Sequence, residues 1–263
     1  MEKREENKFV KLRNFNLIMG ILHLVQGIMM LFLATTVIQK IAEFQPQITQ
    51  FYQTFNFNTQ SLEVVSRELF TLPFGVLVSM FLFVSALAHF IIVIKEKEYV
   101  EGLKNGINQY RWFEYALSSS IMIVLIATLF GIYDIATLIL IFLANAGMNL
   151  FGLDMELINS GKEKKKVNWG PFIWGSVVGL APWIVIFTYM FGTGNFDMIP
   201  WFVWAIVVTY FVAFNTFPIN MILQYLRVGK WKDYLYGERV YIILSLVAKS
   251  ILAWLVLFGA MQP

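Results

Sequence analysis

The last long apolar segment of the chain decides the fold, because it carries a lysine in its middle. It reads Tyr241-Ile-Ile-Leu-Ser245-Leu-Val-Ala-Lys249-Ser250-Ile-Leu-Ala-Trp254. At 1.5 Å of rise per helical residue, Lys249 lies roughly 13 Å past the start of a span over residues 240–259. That depth is near the centre of a bilayer core about 30 Å thick. A charged lysine there costs from about 3 to more than 10 kcal/mol, so it needs a partner or a function.

Six other segments are also long and apolar enough to span a bilayer, which takes about 20 residues of helix. Together the seven lie at residues 15–38, 71–94, 111–130, 133–158, 169–190, 201–226 and 240–259. The chain has 263 residues, of which 58% are hydrophobic and only 14% charged, against about 25% charged in soluble domains. The sequence therefore predicts an all-α membrane protein, with residues 1–263 forming a single bundle of seven helices.

The lysines and arginines are distributed unevenly between the two ends of this predicted bundle. Sixteen of the twenty belong to one end, whereas only Lys40 and Arg67 belong to the other. Because cytoplasmic loops carry an excess of Lys and Arg, we expect a multi-pass protein of the cell membrane with a cytoplasmic N-terminus and an extracellular C-terminus. This asymmetry explains the net charge of +3 without a nucleic-acid partner.

The basic loops on the cytoplasmic side are candidate contact surfaces. The four lysines in Lys162–Lys166 are expected to anchor this side at membrane lipid. A cytoplasmic signalling partner could bind there or at residues 227–239, but the sequence does not identify one.

The long outer loop, residues 39–70, contains a segment that partly alternates apolar and polar residues, Gln50–Asn58. This pattern is typical of a half-buried β-hairpin. Two interpretations are open: an amphipathic lid on the bilayer surface, or a β-ribbon that contacts a second protomer in a homodimer. We favour the ribbon, since strands with bare edges rarely stay unpaired.

Lys249 needs an acidic partner, and Glu114 is the acidic residue that lies well inside a predicted span. Its depth is about 6 Å from the cytoplasmic boundary. Helical side chains lean toward the helix N-terminus, so the lysine nitrogen is expected at a similar depth. One interpretation is a structural ion pair within the bundle. The other, which we favour, is a Schiff base formed between the amine and an aldehyde, with Glu114 as counterion.

Four further polar residues are expected in the same layer. Ser245, one turn before the lysine, can donate to the Schiff base or to Glu114, or bond to a helix carbonyl. Arg111 either compensates Glu114 or extends to the membrane interface. The two histidines of the chain, His23 and His89, both fall in the cytoplasmic half. Together they favour a water-linked polar cavity over two isolated core residues.

Two segments resemble the heliorhodopsin family. Arg111-Trp-Phe-Glu-Tyr-Ala-Leu-Ser-Ser-Ser120 is similar to its third-helix signature, and Ser245-Leu-Val-Ala-Lys-Ser250 to its retinal-binding segment. The cytoplasmic N-terminus and the long first outer loop also fit. The resemblance implies all-trans retinal bound to the lysine, with the glutamate as sole carboxylate counterion. It further implies pocket positions for which ordinary packing is the alternative: Tyr115, Ser118, Met148 and Phe214.

Three differences from ion-pumping rhodopsins favour a sensor. Ser245 stands where pumps usually carry a second carboxylate, and Leu125 stands where proton pumps place a donor acid. Phe214–Pro218 replaces the Trp-x-x-Tyr-Pro of the pumps. The resemblance therefore implies a light sensor with a slow photocycle and no ion transport, its proton held in a cavity lined by His23 and His89. The alternatives are a light-driven proton transporter of the same fold and a retinal-free membrane adaptor or transporter with a structural lysine.

Other chemistry is excluded or not indicated. The chain contains no cysteine, which excludes disulfides and thiolate catalysis. We find no metal motif, phosphate loop or nucleophile–base arrangement, so we expect neither a metal site nor an enzyme. Asp134 is predicted to be a helix N-cap, and Pro182 and Pro218 are predicted to kink their helices.

Overall fold

The computed structural model describes residues 2–38, 43–163, 166–192, 194, 199 and 201–260. Within these ranges the chain forms eight α-helices and one β-hairpin. The helices are α1 Glu2–Phe32 (continued by a π-helical turn, Leu33–Val37), α2 Phe74–Ile94, α3 Glu96–Lys104, α4 Gln109–Leu129, α5 Ile135–Asn159, α6 Gly170–Phe191, α7 Trp201–Tyr225 and α8 Tyr234–Ala260. The strands are β1 Gln47–Asn56 and β2 Ser61–Thr71. All of the helices except α3 are long and apolar enough to cross a membrane, which confirms the predicted seven-span bundle.

The structure differs from the prediction at the boundaries of two spans and in one connection. α1 begins at Glu2 and α8 at Tyr234, whereas the hydropathy pattern places these starts at residues 15 and 240. The extra turns of α8 carry Glu238 into the helix. The connection after α2 contains α3, a short amphipathic helix that buries Tyr99 and Leu103.

The predicted hairpin is confirmed. β1 and β2 pair antiparallel, with Phe55 opposite Leu62, and the turn contains Gln60 at a positive φ of 51°. The expected half-burial holds only at the root, where Ile48 is fully buried. Farther out most side chains are exposed, including Phe51 at 55% and Val64 at 66%, whereas Asn56, Glu63 and Val65 are half-buried. Residues 39–42 of this loop, with Lys40, lie outside the described residues.

The hairpin root contacts the turn between α4 and α5. The backbone N–H of Thr49 donates to the Tyr133 carbonyl at 2.9 Å, and Gly131 supplies the positive φ of 80° that this tight turn uses. Asp134 caps α5, since its carboxylate accepts the Thr137 N–H at 2.8 Å, which confirms the predicted N-cap. The hairpin and this turn therefore share one end of the bundle.

Three contacts join the start of α1 and the connections after α3, α5 and α7 at the opposite end, which we call the basic end. Lys8 pairs with Asp233 at 2.7 Å, Ser160 donates to the Asn105 carbonyl at 2.7 Å, and Arg227 donates to the Lys162 carbonyl at 3.1 Å. The start of α1, α3 and the two later loops therefore lie side by side. Lys164 and Lys165 lie outside the described residues.

Close packing of α1 on α2 depends on two glycines. A Cβ at Gly27 would lie 2.6 Å from the Phe83 ring, and one at Gly20 would lie 3.0 Å from the Phe90 ring. Pro182 and Pro218 lie inside α6 and α7, and the kinks expected at them stay a prediction. The bundle thus sets α2, α4 and α8 around one interior, and each of these helices contributes to the site.

Candidate functional site

A buried ion pair joins α8 to α4 in the interior of the bundle. Lys249 Nζ lies 2.5 Å from Glu114 Oε1, and the two side chains are 4% and 7% exposed. Ser85 of α2 completes the group, accepting from Lys249 Nζ at 2.6 Å and donating to Glu114 Oε1 at 2.7 Å. The depth argument from the sequence allowed this contact, and each buried charge has a partner here, as burial requires.

Ser85 is a site residue that the sequence analysis missed. It lies one helical turn before His89 on α2 and is fully buried. A serine in the middle of an apolar span, spaced four residues from a buried histidine, is the signal that could have indicated it. The sequence analysis expected Ser245 in this bridging position. Ser245 is buried on α8 beside the same group and lines a small cavity with Glu114.

Two residues that follow Glu114 on α4 also face this group. The ring of Tyr115 lies 5.2 Å from Lys249 Nζ, and its hydroxyl donates to the Tyr241 carbonyl at 3.1 Å. Ser118 is fully buried one turn after the carboxylate. The amine therefore lies between a carboxylate, a serine hydroxyl and the face of an aromatic ring.

A mainly apolar cavity of about 250 Å³ includes Lys249 in its lining. Trp183, Tyr210 and Phe214 form an aromatic wall, with the Trp183 ring 5.3 Å and 5.6 Å from the other two. Met148 also belongs to the lining. Of the pocket residues expected from the resemblance, Tyr115, Phe214 and Met148 line this cavity.

The lining fits a long apolar aldehyde. Gly179 keeps the cavity open, because a Cβ there would lie 2.4 Å from the Met148 sulfur. Trp183 Nε1 and the Tyr210 hydroxyl are buried and have no hydrogen-bond partner among the described residues. Aromatic walls, a reactive amine and a carboxylate beside that amine are the features such a ligand needs.

A second buried charge cluster lies toward the basic end. Arg111 forms ion pairs with Glu156 of α5 and Glu238 of α8, and all three side chains are at most 4% exposed. Its guanidinium also lies over the rings of Trp112 at 4.8 Å and Tyr241 at 4.0 Å. Neither sequence interpretation of Arg111 describes this arrangement, because it pairs with Glu156 and Glu238 rather than with Glu114 and does not extend to the interface.

The helix α3 is joined to this cluster through Tyr99. Its hydroxyl donates to Glu238 Oε1 at 3.2 Å. Burial raises the pKa of the Tyr99 phenol well above its ordinary value, and the neighbouring Glu238 carboxylate raises it further. Tyr99 therefore stays a neutral donor, and this buried hydrogen bond joins α3 to α8.

The two histidines lie together, as expected from their depths. The rings of His23 and His89 stack with centroids 5.6 Å apart, and His89 Nδ1 lies 2.8 Å from Asn16 Oδ1. A small cavity of about 30 Å³ is lined by His89, Glu114, Glu238 and Ser245 among others. His23 is buried but is not part of that lining.

Comparison with known protein families identifies the chain. The family model described as heliorhodopsin matches residues 12–261, nearly the full length. The chain belongs to the heliorhodopsin family. No curated protein matches it. Family membership implies a retinal-binding, light-sensing rhodopsin, and together with the seven apolar spans it makes the chain a multi-pass membrane protein.

Proposed function

We propose that this chain is a photoreceptor that carries all-trans retinal on Lys249 as a protonated Schiff base, with Glu114 as counterion, a slow photocycle and no ion transport. One observation carries the proposal: the Lys249 amine, 2.5 Å from Glu114, lies in the lining of an apolar cavity. Condensation of the amine with the aldehyde releases one water molecule. The charged nitrogen then needs the nearby carboxylate to stay protonated.

The protein's own residues hold the proton and exclude water. When bound, retinal supplies visible absorption and a double bond that isomerises in light. Glu114 stabilises the proton on the Lys249 nitrogen, and Ser85 fixes the carboxylate relative to that nitrogen. The walls formed by Trp183 and Phe214 keep water from the bond that hydrolysis would break. Loss of charge at a buried pair changes local energies by several kcal/mol, enough to shift a bistable helix arrangement.

Leu125 supports a sensor over a pump. It is 1% exposed within the main apolar core of the bundle, so this position offers no proton-carrying group. Illuminated suspensions of cells that produce the protein should therefore show no pH change that a protonophore abolishes. A light-dependent, protonophore-sensitive pH change would favour the light-driven transporter instead.

The first experiment is retinal reconstitution of the purified protein. The wild-type chain should form a visible band that hydroxylamine bleaches, whereas Lys249→Ala should stay colourless. Lys230→Ala is the matched control, because Lys230 is an exposed lysine in the loop before α8, and it should form the same pigment as wild type. A colourless wild type, or a hydroxylamine-sensitive pigment in Lys249→Ala, contradicts the proposal.

The counterion role is tested with Glu114→Gln. This change removes the negative charge that stabilises the protonated nitrogen, so the band should move to the red or be replaced by an ultraviolet band of the deprotonated form. Glu98→Gln, in the exposed part of α3, should leave the spectrum unchanged. An unchanged spectrum in Glu114→Gln would remove the residue from this role.

We also propose that the basic end faces the cytoplasm and that the C-terminus is extracellular, on the basis of the Lys and Arg distribution. Because the chain has no cysteine, single cysteines report sidedness directly. In intact cells a membrane-impermeant maleimide should label Thr59→Cys in the hairpin turn and should not label Lys230→Cys. The reverse labelling pattern would invert the orientation.

The hairpin supports a homodimer. Its aromatic side chains Phe51, Tyr52 and Phe55 are all about half exposed, and such patches mark interaction sites. Replacing Phe51 and Phe55 together with Ser should shift the protein from dimer to monomer in detergent. Leu140→Ser on the outer face of α5, with a 67% exposed side chain, is the control. A dimer that survives loss of both phenylalanines argues against this interface.

A further inference from the structure

The Arg111–Glu156–Glu238 cluster has an unequal number of charges. One guanidinium lies between two carboxylates, and each carboxylate bonds to a different guanidinium nitrogen. With both carboxylates ionised the cluster carries one excess negative charge in a buried place. Such an excess is costly in a low-dielectric interior, so the cluster has a driving force to take up one proton.

The hydrogen bonds indicate which carboxylate receives that proton. Glu156 accepts from four groups: a guanidinium nitrogen of Arg111, the Asn108 backbone N–H, the Trp112 indole and the Tyr234 hydroxyl. Glu238 accepts from three: the other guanidinium nitrogen, the Asn108 side chain and the Tyr99 hydroxyl. More donors stabilise the ionised form better. Glu238 has fewer donors to its carboxylate than Glu156, so it is the member of the cluster better placed to take up a proton.

Only Glu238 of the two carboxylates has a route to the lysine. It lines the cavity of about 30 Å³ that Glu114 and Ser245 also line, and Glu156 does not. A space of 10–15 Å³ is about the minimum for one water, so this cavity can hold water between the two glutamates. Its lining includes the polar side chains of Glu114, Glu238 and Ser245, and polar partners are what an ordered water requires.

We propose that Glu238 is the group that takes up the proton leaving the Lys249–Glu114 pair, an inference that rests on the proposed photoreceptor function. The transfer breaks an N–H bond at the Lys249 nitrogen and forms an O–H bond on Glu238. The pair changes from neutral to one negative charge, and the cluster changes from one negative charge to neutral. The total charge of the interior stays the same, and no further reactant is needed.

The titratable and charged groups around Glu238 come from five helices. They are Tyr99 of α3, Tyr110, Arg111, Glu114 and Tyr115 of α4, Glu156 of α5, His89 of α2, and Tyr234 and Tyr241 of α8 itself. Of these, His89 is the competing acceptor, because it lines the same cavity. A test must therefore separate a protonated carboxyl group from a protonated imidazole.

Infrared spectroscopy makes this separation, since a protonated carboxyl has a C=O stretch that a carboxylate and an imidazolium lack. In retinal-free protein, acidification should produce a buried carboxyl band that is lost in Glu238→Gln and shifted in frequency in Glu238→Asp. In the reconstituted pigment, the light-minus-dark spectrum should gain the same band, again lost or shifted in these variants. Glu98→Gln should leave both spectra unchanged.

Two outcomes overturn the inference while leaving the photoreceptor proposal intact. One is a visible pigment whose light-induced carboxyl band is unchanged in Glu238→Gln. The other is a pigment whose light spectrum shows no carboxyl gain but a new imidazolium signal that is lost in His89→Gln. A wild-type chain that forms no pigment with retinal contradicts the proposed function instead, and the retinal-free spectra then still decide whether Glu238 binds the proton.

Discussion

Replacing Arg111 with methionine should be one of the most destabilising single changes in this bundle. Methionine keeps much of the length and apolar stem of arginine but removes the charge and all of its donors. The Arg111 side chain is 4% exposed, so water cannot replace what is lost. Glu156 and Glu238 would then both face a buried interior without a cation.

The magnitude follows from the contacts. Removing one partner of a buried ion pair costs about 3–5 kcal/mol, because the remaining charge is left uncompensated. Here one substitution leaves two carboxylates unpaired and also removes the guanidinium from the rings of Trp112 and Tyr241. We therefore expect a loss at the upper end, about 5 kcal/mol in the free energy of unfolding.

The assay is unfolding of the retinal-free protein in mixed micelles with increasing denaturing detergent. The triple variant Arg111→Met, Glu156→Gln, Glu238→Gln should recover most of the lost stability, since replacing all members of a buried charge cluster is often neutral. Arg239→Met is the control, because Arg239 is exposed, and it should change stability by less than about 1 kcal/mol. A loss below about 1 kcal/mol in Arg111→Met, or a triple variant as unstable as the single one, would refute the reasoning.

Two further predictions concern the cavity and the hairpin. Gly179→Ala should push the Met148 sulfur by about 1 Å or more into the cavity, because the new Cβ would lie 2.4 Å from it. The thermal unfolding temperature of the retinal-free protein should change little. Pigment formation with retinal should become slower, and the visible band should shift. Unchanged pigment kinetics and spectrum would show that this wall does not contact retinal. Hydrogen bonds from Asn56 and, to a smaller extent, from Thr59 lower the pKa of Glu63 in the hairpin. These bonds therefore stabilise the folded hairpin at pH values above the ordinary carboxyl pKa. The stabilisation is lost as the pH falls through the lowered pKa and the carboxylate is protonated. Amide hydrogen exchange at the β1–β2 turn should therefore become faster in the wild type than in Glu63→Gln as the pH is lowered, when both are measured at each pH. Exchange rates that change with pH in the same way in both proteins would contradict this prediction.

The seven spans and the hairpin could be predicted because each is a local pattern. Span length follows from bilayer thickness, and strand pairing follows from alternation around a turn. The contact between Lys249 and Glu114 could also be predicted, since the depths of two residues along their helices restrict which side chains can touch. The cap at Asp134 depends on residues three positions apart. All of these features depend on positions near in sequence or on a single depth coordinate.

The second charge cluster could not be predicted in this way. The hydropathy pattern places the start of the last span after Glu238 and Arg239, because hydropathy treats every charged residue as exposed to water. Only Arg239 is exposed; Glu238 is buried because an arginine on another helix pairs with it. Which charges meet is decided by helix packing between distant parts of the chain. Ser85 was missed for the same reason, since its role depends on α2 facing α4 and α8 at one level.

The Lys249–Glu114 pair and the Arg111–Glu156–Glu238 cluster both join α4 to α8. Their charges must therefore be considered together. On α8, Glu238 and Lys249 lie on either side of Tyr241, whose carbonyl accepts from the Tyr115 hydroxyl of α4. If Glu238 accepts the proton, the interior carries one excess negative charge throughout, first on the cluster and then on Glu114. Proton transfer therefore separates no new charge. Glu156→Gln removes this balance, because the cluster begins neutral and the same transfer would leave it positive beside a negative Glu114. Creating such a charge pair at low dielectric costs free energy, so the variant should keep its pigment but lose much of the light-induced carboxyl band.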